Sequence, residues 1–156
     1  MMTHSAMDIA LAEAEKAASR NEVPVGAVLI APSGQVIAQH GNRCVELNDP
    51  TAHAEFLVLR AAAAALSRPY LDACDLYVTL EPCALCAAAI GLYRVKRLYF
   101  GAYDPKGGAV EHGPRIFAQP TAHWQPEIYG GIRESDCSFL LKQFFLNKRN
   151  LAHSCT

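Results

Sequence analysis

The chain has 156 residues, of which 51% are hydrophobic, and its formal net charge is −1. This size and apolar content fit one core, so we expect a single domain over residues 1–156. A charge near zero argues against a protein that coats nucleic acid, because such domains are strongly basic. The charge is unevenly divided: residues 1–90 hold 5 Lys/Arg and 10 Asp/Glu, and residues 91–156 hold 9 and 5. The second part is therefore basic enough to form one positive face, although chance differences between solvated helix faces would give the same sums.

The beginning of the chain does not have the pattern of an export signal, because Asp8, Glu13 and Glu15 interrupt its apolar residues. No segment is long and apolar enough to cross a membrane. We therefore expect a cytoplasmic protein whose cysteines are thiols or metal ligands rather than disulfides. These cysteines are Cys44, Cys74, Cys83, Cys86, Cys137 and Cys155.

The first predicted elements are a helix and a hairpin. Ser5 precedes the helical spacing and has Asp8 three residues further on, so it is a candidate N-cap. Residues 25–30 and 36–40 are apolar, β-branched runs separated by a turn that contains Pro32 and Gly34, which predicts two paired strands. The apolar face of the helix consists of Met7, Ala10, Leu11, Ala14 and Ala18.

The middle of the chain predicts two further helices around a buried strand. A loop over residues 41–50 leads to a helix that Thr51 could cap and that reaches about Leu66. Residues 76–80 form an apolar run typical of a buried strand. Pro82 then opens the third helix, since proline favours the first position of a helix.

The last third of the chain predicts two strands and a long C-terminal helix. Strands at residues 97–102 and 127–129 are joined by more than twenty residues, so we expect them to be parallel, with a crossover helix around residues 110–117. The final helix is expected to end near Lys148 and Arg149, where cations favour a helix C-terminus. Alternating helices and strands predict a three-layer α/β/α domain. The core stripe of the final helix consists of Cys137, Leu140, Leu141 and Phe144.

Two short motifs suggest a metal site. Cys83 and Cys86 stand three residues apart at a predicted helix start, where the helix dipole favours thiolates. Such a pair could also be a redox dithiol, but a dithiol would leave His53 and Glu55 unexplained. A zinc ribbon would need a second CxxC, which is absent. His53, at the start of the preceding helix, would supply a third ligand and leave the fourth position of a tetrahedral zinc ion open, which is the catalytic arrangement. The alternative is a closed structural site completed by Cys44 or Cys74.

Glu55 lies two residues after His53, which separates their side chains by roughly 200° on an ideal helix. Both residues are therefore unsuited to be ligands of one ion. A glutamate near a helix start can still reach a water at the metal from another direction and act as a base. Without the neighbouring ligands, the simpler interpretation would be an acidic residue that the helix dipole stabilises.

The pair of motifs HxE and PCxxC is the signature of zinc-dependent nucleobase deaminases. Nearly the whole chain resembles the bacterial tRNA-specific adenosine deaminases, which convert the wobble adenosine of an anticodon to inosine. DPTAHAE and EPCxxC also resemble guanine and cytosine deaminases, whereas EVPVGAV, the GAxDPK loop and the basic Phe–Phe tail are similar to the tRNA enzymes. Two departures are Leu85, where a methionine is expected, and Tyr103, where some relatives have a basic residue. The similar segments are Glu22–Leu29, Asn42 and Arg43, Asp49–Glu55, Leu76–Cys83, Phe100–Ala109 and Phe144–Arg149.

The resemblance implies a cytidine-deaminase-like fold with a central mixed sheet of about five strands, and a homodimer. It implies one Zn²⁺ per chain, held by His53, Cys83 and Cys86, with Glu55 as the catalytic acid and base. The implied macromolecular partner is the anticodon stem-loop of a tRNA. The implied substrate contacts are Asn42 with the base, Val23 and Pro24 in the pocket wall, Asp104 and Lys106 with neighbouring nucleotides, and Phe145, Lys148 and Arg149 in the tail.

Each of these contacts has a structural alternative. Asn42 could bond to its own loop backbone, and Asp104 could belong to a plain turn. Val23 and Pro24 could pack at the entry of a strand, and Phe145 could be a second packing contact of the last helix.

Two other functions remain open at this level. A small-molecule guanine or cytosine deaminase would use the same zinc centre, although the basic tail argues against it. A noncatalytic RNA-binding module stabilised by zinc would need neither Glu55 nor an open coordination position.

Overall fold

The computed structural model describes residues 3–154, which form a five-stranded sheet with helices on both of its faces. A short 3-10 turn, Ile116–Ala118, lies between the last two strands. The helices are α1 (Thr3–Ser19), α2 (Ala54–Leu66), α3 (Ala84–Leu92) and α4 (Glu134–Ser154), and the strands are β1 (Gly26–Ile30), β2 (Val36–Gly41), β3 (Asp75–Leu80), β4 (Arg97–Ala102) and β5 (Glu127–Tyr129).

The strand order is β2-β1-β3-β4-β5. Strand β1 pairs antiparallel with β2 and β3, whereas β4 pairs parallel with β3 and β5. The predicted mixed sheet and the α/β/α class are therefore confirmed, and so is the parallel pairing across the long connection between β4 and β5.

Strand β1 shows why the fold has three layers. All five of its residues are buried, so the strand has no solvated face. Because successive side chains point to opposite faces of a sheet, Ala27 and Leu29 join the core under α2 and α3, while Val28 and Ile30 join the core under α1 and α4.

The topology brings several chain segments to one edge of the sheet. Gly26, at the start of β1, pairs with Gly41 at the end of β2, and its backbone N–H donates to Thr79 Oγ1 (3.1 Å) at the end of β3. Strand β4 runs parallel to β3, so its end lies at the same edge. Loops at the carboxyl ends of parallel strands are the usual place for a site in α/β folds.

Two predicted helix caps are wrong. Ser5 lies inside α1, because the helical backbone already begins at Thr3 and a cap residue needs an extended backbone. Thr51 does not cap α2, because both its hydroxyl (2.6 Å) and its backbone N–H (2.9 Å) donate to Asp49 Oδ1. The chain turns at this contact, and His53 is the last extended residue before the helix.

The other boundaries differ from expectation by different amounts. Helix α3 begins at Ala84 with Cys83 as its N-cap, so Pro82 lies just before the helix. The expected crossover helix at residues 110–117 is absent from the described structure, which has only the 3-10 turn there. Helix α4 continues to Ser154, so Lys148 and Arg149 lie within it rather than at its end.

Within residues 3–154, no helix is both long enough and apolar enough to span a membrane. Five of the cysteines are free thiols, and Cys155 lies outside the described residues.

Candidate metal centre and catalytic pocket

Three side chains converge at the sheet edge where α2 and α3 begin. His53 Nδ1 lies 3.5 Å from Cys83 Sγ and 3.4 Å from Cys86 Sγ. A tetrahedral zinc ion with ordinary Zn–N and Zn–S bonds places its nitrogen and sulfur ligands about 3.6 Å apart. The spacing of these donors therefore fits one zinc ion between them.

The two helix starts explain how this geometry arises. His53 and Cys83 are the N-cap residues of α2 and α3, and both have extended backbones (φ −72°, ψ 149° and φ −74°, ψ 177°). Neither side chain caps its own helix, so each is available as a ligand. Cys86, in the first turn of α3, is fully buried and completes the group.

The pKa values of the two thiols favour the binding of a cation between them. The pKa of Cys83 is lowered to about 4, first because Cys86 donates a hydrogen bond to the thiolate and further because His53 bonds to it. The pKa of Cys86 is raised by its bond to Cys83 and by burial, since a second negative charge would lie beside the first. A divalent cation would remove this conflict and stabilise both thiolates.

Among the described residues, the potential ligand group contains His53, Cys83 and Cys86 and no fourth protein ligand. Cys44 lines the neighbouring pocket, and Cys74 is buried in the core beneath α2 and α3. Neither belongs to the group whose ligand atoms lie within 4.8 Å of one another. The arrangement therefore favours an open coordination position over a closed structural site.

Glu55 lies in the first turn of α2 and lines the same pocket, with 4% of its surface exposed. Burial raises the pKa of its carboxyl, and the nearby Cys83 contributes to the rise. Because the group is outside the ligand set, it is placed to exchange protons beside the metal rather than to bind it.

The pocket has a volume of about 270 Å³, and His53, Glu55 and Cys83 are among the residues that line it. Of the predicted contacts, Val23, Asn42 and Asp104 also line it. Pro24 is buried but is not a lining residue, whereas its neighbour Val25 is. The full lining consists of Val23, Val25, Asn42, Cys44, His53, Glu55, Leu80, Glu81, Cys83, Asp104 and Gly107.

Asn42 is buried, and its Oδ1 accepts a hydrogen bond from the backbone N–H of Ala54 (2.8 Å). This contact caps α2 across the loop and differs from the bond to its own loop considered above. Because the oxygen is engaged by a donor, the amide group has a defined orientation, with its NH₂ directed away from that contact. Asn42 thus joins the helix start of the metal site to the pocket wall.

The loop after β4 has an observed turn structure. Asp104 Oδ1 accepts hydrogen bonds from the backbone N–H groups of Lys106 (3.2 Å) and Gly107 (3.0 Å). Lys106 is exposed and is not a lining residue of the pocket. Tyr103 makes edge contacts with the rings of Phe100 (5.1 Å between centroids) and His112 (6.1 Å), so this departure from the family pattern is packed against β4 and the end of its own loop.

The predicted tail residues all lie on α4 and are not part of the pocket. The stripe expected for the core is confirmed at Cys137 and Phe144, which are buried, while Phe145 is 44% exposed. The Lys148 ammonium lies 4.8 Å from the centre of the Phe144 ring, within cation–π range. Phe145 contacts the Phe144 ring at its edge (5.4 Å between centroids) but remains partly exposed, on the same helix as Lys148 and Arg149.

Glu81 is the functional candidate that the sequence did not single out. It is 2% exposed, and its carboxylate accepts hydrogen bonds from the loop after β4. Burial alone would raise its pKa, but the bonds from Asp104 and His112 outweigh this effect, and the pKa lies below its ordinary value. Its position directly before Pro82 and Cys83 was the available signal, but a motif does not reveal contacts with a loop more than twenty residues away.

The fold and the ligand group together define a zinc-dependent deaminase. Residues 2–102 match the family model for the cytidine and deoxycytidylate deaminase zinc-binding region, and the chain belongs to this family. The resemblance found in the sequence is thus confirmed, and zinc is the cofactor of the family's site.

Among individual relatives, the sequence identity to tRNA-specific adenosine deaminases is far higher than the identity to a guanine deaminase. A tRNA-specific adenosine deaminase of Agrobacterium fabrum is 57% identical over 143 residues, which cover 92% of this chain and 93% of the relative. A solved structure from work on A-to-I editing by tRNA:A34 deaminases at the wobble position superposes with a TM-score of 0.86 at 56% identity, covering 88% of this chain and 99% of that one. A guanine deaminase of Nitrosomonas europaea has a TM-score of 0.79 at 22% identity, covering 92% and 84%, which shows a shared fold alone.

The ligand group predicts the behaviour of serine variants. Cys83→Ser and Cys86→Ser should each lose most of the single zinc ion per chain and unfold at lower temperature, because the ion connects the starts of α2 and α3. Metal analysis by mass spectrometry and thermal melting would measure both effects. Cys44→Ser is the matched control, since its sulfur lies at the pocket but outside the group. Full zinc content in both ligand variants, or zinc loss in Cys44→Ser, would contradict the assignment.

Proposed function

We propose that this protein deaminates adenosine to inosine at the wobble position of a tRNA anticodon loop. The observation that carries the proposal is the pocket in which Glu55 lies buried beside His53 and Cys83. The similarity to tRNA adenosine deaminases extends over almost the whole chain, and so includes the loops around this pocket as well as the zinc motifs.

The metal ligands and Glu55 would have separate roles in the reaction. His53, Cys83 and Cys86 would hold a zinc ion, which would supply a water with its pKa lowered close to neutral pH. Glu55 would take a proton from the water that attacks C6 of the adenine and pass it to N1, and it would then carry the proton of the hydroxyl added at C6 to the amino group, which leaves as ammonia. A carboxyl whose pKa is raised by burial is suited to this exchange, because it can hold the proton between the two transfers.

Asn42 and Val23 would hold the base in the pocket. The Asn42 carbonyl is engaged with Ala54, so its NH₂ group would donate to an acceptor nitrogen of the purine. Val23, which lines the pocket, would supply an apolar contact to the base, and its buried neighbour Pro24 would support Val23. An anticodon loop suits such a pocket, because its bases are already unpaired and can be turned out at small cost.

Residues outside the pocket would hold the rest of the RNA loop. Asp104 and Lys106 lie on the turn beside the pocket and would contact nucleotides next to the target base. The exposed ring of Phe145 would stack on a base, with Lys148 and Arg149 near phosphates. A small basic surface of this kind is sufficient for a folded loop, which is recognised by shape and a few splayed bases.

We further propose a cytoplasmic homodimer. Helix α3 carries Cys86 toward the metal site, while its other side borders an apolar groove of about 320 Å³ that Trp124 and Phe117 also line. Leu92, at the rim of this groove, is 75% exposed, and a second copy of the chain would cover it. Light scattering at micromolar concentration should give twice the chain mass, and a monomer would contradict the proposal.

The substrate experiment separates the proposed function from its principal rival, a free-base deaminase. The purified zinc protein would be incubated with an anticodon stem-loop containing a wobble adenosine, with free guanine and with free cytosine. We expect inosine from the stem-loop and no ammonia from either free base, with inosine measured by nucleoside chromatography and mass spectrometry.

Glu55→Gln is the catalytic control for this assay. It should retain zinc and RNA affinity while turnover falls by at least about 10²-fold, the scale for loss of an acid/base group. Glu13→Gln is its matched comparison, because Glu13 is also buried but bonds to Gln39 away from the pocket. Ammonia from guanine or cytosine without inosine from RNA would overturn the proposed substrate, and normal turnover of Glu55→Gln would overturn the mechanism.

The α4 tail supplies a prediction about RNA binding. Phe145→Ala should weaken stem-loop binding by roughly 1–3 kcal/mol if its ring stacks on a base. Neutral residues at positions 148 and 149 should also weaken binding and reduce its dependence on salt, because fewer counterions are released. Binding would be measured by fluorescence anisotropy at several salt concentrations.

Phe144→Ala is the control for packing, since Phe144 is only 9% exposed. This variant should lower the melting temperature, whereas Phe145→Ala should leave the melting temperature nearly unchanged. Unaltered RNA affinity and salt slope in the variant changed at 145, 148 and 149 would remove the tail from RNA recognition.

A further inference from the structure

The Glu81 carboxylate lies at the end of β3 and holds five donors from residues 104–112, here called the positioning loop. Oε1 accepts hydrogen bonds from Asp104 N (3.0 Å) and His112 Nδ1 (2.8 Å). Oε2 accepts from the backbone N–H groups of Val110 (3.2 Å), Glu111 (2.9 Å) and His112 (3.1 Å). One buried side chain thus binds both ends of the loop.

This arrangement requires a carboxylate. An ionised carboxylate only accepts hydrogen bonds and has about four lone-pair sites, so five donors, three of them on Oε2, saturate both oxygens. A glutamine of the same shape would direct an NH₂ group at N–H groups of the loop and leave them without an acceptor. The loop conformation therefore depends on the charge of Glu81 as well as on its size.

The positioning loop also packs closely against the Glu81 carboxylate at Gly108. A Cβ atom at Gly108 would lie 2.5 Å from Glu81 Cδ and 2.5 Å from the Asp104 carbonyl oxygen. The next residue, Ala109, donates its backbone N–H to the Pro82 carbonyl (2.8 Å), directly before the zinc ligand Cys83. The loop is thus wrapped around Glu81 and attached to the segment that positions the metal.

The contacts of the loop with the pocket follow from this wrapping. Asp104 and Gly107 form part of the pocket wall, and both lie between the two ends that Glu81 holds. Lys106 stands on the same turn and is exposed. Release of the loop from Glu81 would leave the zinc ligands in place but would displace this wall.

We propose that Glu81 is a positioning residue that holds the positioning loop beside the metal site and so sets how the nucleotides flanking the target base are bound. The inference rests on the proposed function, which supplies the RNA. Glu81 acts through the loop and does not touch the reacting atoms. Its loss should therefore affect RNA binding more than the rate of the chemical step.

The test is the variant Glu81→Gln, assayed with an anticodon stem-loop and loaded with zinc. KM should rise by about tenfold or more, the scale of a lost hydrogen bond to a charged group, while kcat changes much less. Zinc content should remain one per chain, and the amides of 104, 110, 111 and 112 should exchange hydrogen faster. Glu13→Gln, a buried carboxylate away from the pocket, should leave KM and these amides unchanged.

Gly108→Ala disturbs the same contact from the loop side, because its methyl group would push against Glu81 while the carboxylate itself is unchanged. It therefore tests the proposal even if Glu81→Gln does not fold. It should reproduce the rise in KM. In a background of Asp104→Ala and Lys106→Ala, Glu81→Gln should raise KM by less than about threefold, since residues that act through the same loop are not additive.

Unchanged KM in both Glu81→Gln and Gly108→Ala would overturn the proposal, and so would an equal rise in KM in the altered-loop background. Failure of the unaltered protein to deaminate the stem-loop would instead overturn the proposed function. In that case the exchange rates of the loop amides would still decide whether Glu81 holds the loop.

Discussion

The structure depends on the meeting of two helix starts at one edge of the sheet. Helices α2 and α3 are each preceded by an extended N-cap residue, His53 and Cys83, whose side chain projects from the end of its helix. Their donor atoms lie 3.5 Å apart, with Cys86 Sγ 3.4 Å from the same nitrogen. Any shift of one helix along the sheet would separate the donors, so packing in the core sets the geometry of the metal site.

Loops form the walls of the pocket beside the metal site, and buried carboxylates hold these loops in place through hydrogen bonds. Glu22 is 2% exposed and accepts the backbone N–H groups of Val45 (2.6 Å) and Glu46 (3.0 Å), on the loop after β2. Glu81 does the same for the loop after β4. Surface loops bury too little apolar area to be fixed by packing alone. Charge-assisted hydrogen bonds supply the order that the site requires.

Hydrophobic spacing was sufficient to predict most of the fold. The apolar runs gave both strands of the hairpin, and the length of the last connection correctly indicated parallel strands. The zinc motifs could be interpreted from spacing and helix position, because Cys83 and Cys86 are neighbours on one turn. These are local properties, so one stretch of sequence contains them.

Contacts between distant segments account for the errors and omissions. Thr51 had the chemistry of a helix cap, but Asp49 accepts its hydroxyl and the helix begins after His53. Residues 110–117 do not form a helix, because Gly113 (φ 55°) and Arg115 (φ 45°) have left-handed backbones within the segment, and Glu81 holds its first three N–H groups in a turn. No local pattern marks a carboxylate that arranges another segment. The hydrogen bond between Asn42 and the start of α2 was not predicted for the same reason, since the two residues lie in different segments of the chain.

X-ray absorption at the zinc edge tests the central claim most directly, because it measures the ligands of the ion in the intact protein. The open site predicts two sulfur ligands at about 2.3 Å, together with one nitrogen and one further light atom at about 2.0–2.1 Å. A spectrum with three or four sulfur ligands would mean that Cys44 or Cys74 closes the site. Such a result would contradict the catalytic role proposed for the metal centre.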